Sequence, residues 1–150
     1  MFTKRILAAV AVSMLVATPV LAGQLVVTPS SSTAKSGAST VSLDISTEGN
    51  VSGFNFFVRT GELKAGSVDL SMCTSELPKG FVGHCVQRAD GVGVIAYAEG
   101  KATLPAGVVS VGRLGLPAEF RAKRGGIQIE ELTLADVEGN VISSESVVAE

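Results

Sequence analysis

Tryptophan is absent from this chain, tyrosine and histidine occur once each, and cysteine occurs twice. Each scarcity closes a class of function. With His84 as the only imidazole and no G-x-S-x-G stretch, a Ser–His–acid or Cys–His nucleophilic site is hard to assemble. A zinc centre asks for about four nitrogen and sulfur ligands at short spacings, more than this chain offers. Platforms that stack sugar rings are usually exposed Trp and Tyr, and here only Tyr97 and a few phenylalanines could serve. Helical periodicity is nearly absent beyond residue 22, so a phosphate-gripping glycine loop ahead of a helix has no place.

Charge is also sparse. Basic residues number 12 and acidic residues 14. The first 22 residues contain Lys4 and Arg5 and no acid, so residues 23–150 carry 12 − 2 = 10 against 14, a formal charge of −4. A mildly acidic surface gives no electrostatic footprint for nucleic acid, which calls for a basic patch or stripe. The one basic cluster, "RAKRGG" (121–126), reads as a solvated hairpin loop.

The N-terminus predicts the compartment. "MFTKR" places two positive charges before the apolar run "ILAAVAVSMLVA", and "TPVLA" then supplies small residues at Val20 and Ala22. That is the layout of a secretory signal peptide, with 1–22 removed and the protein exported to the periplasm or the extracellular space. The run falls short of the roughly 20 residues of a membrane span, and no later stretch reaches that length. Gly23 rather than cysteine follows the expected cut, so no lipid anchor is implied. Residues 23–150, 150 − 22 = 128 in number, are expected to form one domain.

Both cysteines fall in "CTSELPKGFVGHC", Cys73 to Cys85. In an oxidising compartment two thiols usually pair. A redox dithiol would show C-x-x-C, whereas eleven residues intervene here. His84 next to Cys85 in a strand points to the opposite face, which removes it as a catalytic partner. The expectation is a Cys73–Cys85 disulfide with a structural role.

The rest of the chain alternates or runs in β-branched residues between Gly, Pro, Ser and Asn breaks. Strands are expected at 23–29, 40–47, 51–60, 67–72, 81–88, 92–99, 108–120, 126–136 and 141–148. In 51–60, Phe54, Phe56 and Val58 share one face and Asn55, Phe57 and Arg59 the other, with Phe57 expected to be covered there by a neighbouring loop or the second sheet, since phenylalanine is mostly buried. Pro117 should end or bulge its strand. Ile127 and Ile129 share one parity and Leu132 and Leu134 the other, so a β-bulge near Glu130–Glu131 would restore a single buried face. About nine short strands at close spacing predict an all-β antiparallel sandwich.

The carboxylates, Asp44, Asp69, Asp90, Asp136 and ten glutamates, fall mostly at turns and on outward strand positions, without the facing pair that glycoside hydrolysis needs. "DVEGN" (136–140) lacks the full D-x-D-x-D-G calcium loop and reads as a hairpin turn. "NVS" (50–52) matches a glycosylation acceptor, a tripeptide common by chance.

Five stretches taken together, "TVSLDIST", "GFNFFVRT", "GVIAYAEG", "LPAGVVSVGRLGL" and "IQIEELTLADVEGNVI", resemble the cohesin domain and, more loosely, carbohydrate-binding modules of the same architecture. The resemblance covers nearly all of 24–142. It implies a nine-stranded jelly-roll β-sandwich over 23–150, no catalysis and no cofactor. It also implies a protein partner, a calcium-loaded dockerin-like module, held on one flat sheet face. Asn55 resembles the polar residue of the family's F-polar-F strand, where a carboxylate is common. Glu99 resembles the acidic residue that closes its "YAE" strand. Asn55, Phe57 and Glu99 are thus the candidate partner-face residues. Two alternatives stay open: a carbohydrate-binding module of the cell envelope or extracellular polysaccharide, for which Phe57 or Tyr97 would be the stacking ring, and a structural subunit of a surface assembly.

Overall fold

The computed structural model describes residues 23–31, 39–117 and 126–149. The signal-peptide reading of 1–22 and the basic run 121–125 lie outside the described residues. Nine strands are present and no helix appears among the described residues: β1 Gly23–Ser31, β2 Ser39–Thr47, β3 Gly53–Arg59, β4 Phe81–Arg88, β5 Gly91–Ala98, β6 Gly107–Leu116, β7 Gln128–Ala135, β8 Val141–Ile142 and β9 Ser144–Val148. They form a four-stranded sheet, β6-β2-β1-β9, packed on a five-stranded sheet, β4-β5-β3-β7-β8.

Alternation builds the core as the sequence predicts. Leu25 and Val27 of β1 and Val41, Leu43 and Ile45 of β2 turn inward against Phe54, Phe56 and Val58 of β3 and Val92, Val94 and Ala96 of β5, all buried. Side chains two apart in a strand share a face, so one register error would expose the whole set.

Two strands break that period and are repaired by bulges. In β7 the register against β3 steps from Asn55↔Thr133 to Phe57↔Glu130, which leaves one extra residue on β7. Glu131 takes up the kink at φ 55°, and the Asn55 side-chain amide donates to its carbonyl oxygen at 3.0 Å. Ile127 and Leu134 are buried, and Ile129 and Leu132 pack against the core, so all four reach one face as anticipated. A second bulge was not anticipated. In β6 Leu43 pairs Gly112 while Asp44 pairs Ser110, so Val109 and Val111 before the step, and Leu114 and Leu116 after it, all point inward.

The strand expected at 67–72 does not form. Residues 69–76 turn and run along the outer edge of β6 instead. Asp69 and Gly115 exchange two main-chain bonds (2.8 and 3.0 Å), Arg113 N–H donates to the Met72 carbonyl (2.8 Å) and Glu76 N–H to that of Val111 (3.1 Å). Gly112 is what lets the segment lie so close, since a Cβ there would collide with the carbonyl oxygens of Met72 and Cys73. Gln87 clamps the start of the same connection, donating to the Lys64 carbonyl (2.6 Å) and accepting from Val68 N–H (3.0 Å). The Cys73–Cys85 disulfide, Cα–Cα 6.5 Å, joins this segment to β4.

The strand expected at 141–148 divides. Val141 and Ile142 pair antiparallel with β7, and after Ser143 the chain crosses to the other sheet and runs parallel to β1. The sandwich is therefore antiparallel except for this one pair.

Candidate partner-binding face

The outward side of the five-stranded sheet is a flat lattice read off its registers. One row across β4, β5, β3, β7 and β8 is Val82, Tyr97, Gly53, Ala135 and Val141. Next come His84, Ile95, Asn55 and Thr133, then Val86, Gly93, Phe57 and Glu130, then Arg88, Gly91, Arg59 and Gln128. Large apolar side chains stand exposed here: Val86 at 59%, Ile95 at 50%, Tyr97 at 46% and Val141 at 74%. His84 lies against Tyr97, ring centroids 6.4 Å apart.

The other sheet presents a different surface. Its outward positions on β1, β2 and β6 include Thr28, Thr40, Ser42, Asp44, Ser46 and Ser110, small polar groups that water solvates well. Exposed Val147 on one edge strand stands beside half-buried Val26 of β1, and exposed Val108 on the other edge strand stands apart from them, so the apolar residues on that side form no band across the sheet. An apolar band rimmed by polar residues is what an interaction surface looks like, whereas single exposed aliphatics are ordinary.

β3 supplies two of the three sequence candidates. Phe57 faces outward, as its parity requires, yet is only 6% exposed. The ring lies over Gly91 and Gly93 of β5, where no side chain competes; a Cβ on Gly91 would run into the ring edge at 2.8 Å. The guanidinium groups of Arg59 and Arg88 cover it from above, 5.7 and 5.6 Å from the centroid. Phe57 is thus buried by two arginines and a glycine floor, rather than by a loop or the second sheet.

Arg59 is itself held. It donates from Nε and a terminal nitrogen to the two carboxylate oxygens of Glu130 (2.7 and 2.6 Å) and pairs with Asp90. The hydrogen bonds to Glu130 raise the guanidinium further above its ordinary range and hold the Glu130 carboxyl below its own. Arg88 makes no ion pair among the described residues and rests on the ring alone.

Asn55 sits at the centre of the face with its amide engaged at the β7 bulge. Glu99, exposed, lies one residue beyond β5 at the sheet's corner, where its N–H donates to the Gly80 carbonyl at 2.7 Å. The structure brings Asn55 and Phe57 together and places Glu99 at the margin, past Tyr97. Sequence reasoning missed Val82, Val86 and Ile95. The available signal was that β4 and β5 carry apolar residues at both parities, more than one buried face can use.

No group of three or more His, Cys, Asp or Glu among the described residues could hold a metal ion. The Asp136 carboxylate is occupied as a turn cap. It accepts the N–H groups of Glu138 and Asn140, each at 2.9 Å, and those backbone bonds, Asn140 first, hold it below the usual carboxylate range. No helix among the described residues is long and apolar enough to cross a membrane.

The fold is a cohesin-like jelly-roll β-sandwich. No family model and no curated protein sequence matches the chain. Solved structures do. A non-cellulosomal cohesin from the hyperthermophilic archaeon Archaeoglobus fulgidus aligns at TM-score 0.52 and 10% identity, covering 85% of this chain and 91% of that one. The second type II cohesin module from the cellulosomal adaptor ScaA scaffoldin of Acetivibrio cellulolyticus aligns at TM-score 0.53 and 14% identity, covering 86% and 94%. A type II cohesin–X–dockerin complex from the same organism contains a chain that aligns at TM-score 0.50 and 16% identity, covering 85% and 95%.

Proposed function

We propose that this protein is an exported, non-enzymatic recognition module that binds a protein partner through the outward face of β4-β5-β3-β7-β8. The observation that carries the reading is the contrast between the two sheet faces. One exposes Val86, Ile95, Tyr97 and Val141, with half-buried Val82 beside them, and the other presents mostly polar side chains, with Val26, Val108 and Val147 set among them. A flat sheet with a continuous apolar band suits another protein's surface. It suits a sugar less, because Phe57 is buried and Tyr97 is left as the single exposed ring of the face. Solved cohesin complexes that include dockerins support a protein partner, a calcium-loaded dockerin-like module being the specific expectation. Cleavage after Ala22 would deliver the domain outside the cytoplasm.

The test is capture on immobilised, oxidised 23–150 from periplasmic and secreted extract, in calcium and again in EDTA, with Ile95→Lys/Tyr97→Lys as the control surface. A protein retained by the native face and lost with the variant supports the reading, and EDTA sensitivity would support the dockerin-like form. Retention of the same protein by both surfaces would place the site elsewhere, and retained glycan would move the carbohydrate alternative ahead.

A further inference from the structure

On the disulfide side of the sandwich each sheet ends in an edge strand, and the two edges are treated differently. β6 is covered by residues 69–76 through four main-chain hydrogen bonds. β4 is not. Ala98 donates toward Ser52 on the β3 side, so Ile95 and Tyr97 serve β4, pairing His84 and Val82. The main-chain N–H and C=O groups of Gly83 and Cys85 therefore point away from the sheet, and no backbone partner meets them among the described residues. The strand has eight residues, no proline and no bulge, and Val86 is exposed at 59% beside that edge. Native proteins normally blunt such an edge with lysine, proline, a bulge or a cover.

We propose that β4 pairs with β4 of a second copy, antiparallel about a two-fold axis at His84, to join two five-stranded sheets into one of ten. An isologous contact requires that the strand complement itself. In this register Gly83 lies opposite Cys85 of the other copy, and the reverse, so that all four outward donors and acceptors exchange bonds as antiparallel hydrogen-bonded pairs do. Val82 then faces Val86 across the seam, twice. Arg88 falls opposite Gly80, and Gly80 is the residue to which Glu99 is bonded.

Charge selects this register. Arg88 and Glu99 both stand on the outward side and neither makes an ion pair within one copy among the described residues. Across the seam each Arg88 turns from its own Phe57 ring to the other copy's Glu99, exchanging the ring contact for an ion pair. A two-fold axis one residue further along, at Cys85, would set Arg88 opposite Val82 with no carboxylate. The seam takes up Val82, Val86 and Glu99 at the margin of the partner face and leaves Ile95 and Tyr97 at its centre open, so the two readings share an edge and are separated by variants at Ile95 and Tyr97.

The experiment is sedimentation equilibrium of oxidised 23–150 at about pH 8, alongside amide hydrogen exchange. A dimer is expected whose Gly83 and Cys85 amides become protected as concentration rises. Val86→Lys, at an exposed position, should give a folded monomer with both amides exchanging freely. Arg88→Glu alone and Glu99→Arg alone should each weaken association at least about tenfold, and the double swap Arg88→Glu/Glu99→Arg should recover it to within about threefold. A native chain that stays monomeric at about millimolar concentration overturns the proposal. So does a dimer indifferent to Val86→Lys, or one that the double swap fails to rescue. Ile95→Lys/Tyr97→Lys should leave the dimer intact, which separates failure here from failure of the partner face.

Discussion

Removing the disulfide, as Cys73→Ala/Cys85→Ala, is the perturbation whose size the structure lets one work out. The bond closes a loop of 13 residues, counting both ends of a separation of 12. In the chain-entropy model, releasing that closure costs roughly 3 kcal/mol at 25 °C. For a domain of this size that is a fall in Tm of roughly 10 °C. The native contacts of the segment do not depend on the bond. Residues 69–76 keep their four main-chain bonds to β6, Gln87 keeps its clamp on Lys64 and Val68, and Val68 remains in the core. The variant should therefore fold normally, with β6 still covered, and lose stability through its less constrained unfolded chain. Urea denaturation at low protein concentration measures the loss, and the slope with denaturant should rise because the unfolded chain is more expanded. Hydrogen exchange at Arg113 and Gly115 reports whether the edge stays covered. A loss under about 1 kcal/mol would refute the entropic argument. Free exchange of those two amides in a folded variant would show that the staple organises the segment rather than merely tethering it.

Phe57→Ala should cost about 3–5 kcal/mol despite its outward position, since it bares the Gly91–Gly93 floor; urea melts that show an ordinary surface effect would contradict the burial. Glu131→Gly should stabilise by about 1 kcal/mol because glycine accepts φ 55° freely, whereas Asn55→Ala should destabilise by a similar amount by unbinding the same bulge; calorimetry of both variants checks the pair of signs. Stability should fall with acid in a defined window. Glu130 and Asp136 have folded pKa values below their unfolded ones, so their contribution is complete above about pH 5 and lost as pH falls through the folded values. Melts from pH 6 down to 2 should steepen below that point, and Asp136→Asn should flatten its share.

Much of this protein was legible in the linear chain because the relevant physics is short-range. Alternation in "TVSLDIST" and "FNFFV" names the inward residues of β2 and β3 without reference to any partner. The parity slip between Ile129 and Leu132 announces a bulge, because two apolar pairs out of phase cannot share a buried face otherwise. The lone pair of cysteines, read with a leader-like N-terminus, predicts a staple. Neighbourhood across the fold was not legible. Residues 67–72 look like a strand by composition and pair main-chain groups like one at Asp69, yet they follow an edge that only the closed sandwich creates. "VISSESVV" reads as one strand, and its division between two sheets, with a parallel partner in β1, depends on where β7 and β1 already lie. Phe57 had the right face and was expected to be covered, but the cover comes from Arg59, Arg88 and two glycines on a strand more than thirty residues away, not from a loop or the second sheet. The same holds for function. Apolar residues at both parities of β5 show in the sequence as an excess, but which of them the core absorbs and which stand open to a partner is decided by the second sheet. It packs on one side only, and burial is a property of that packing rather than of the residue.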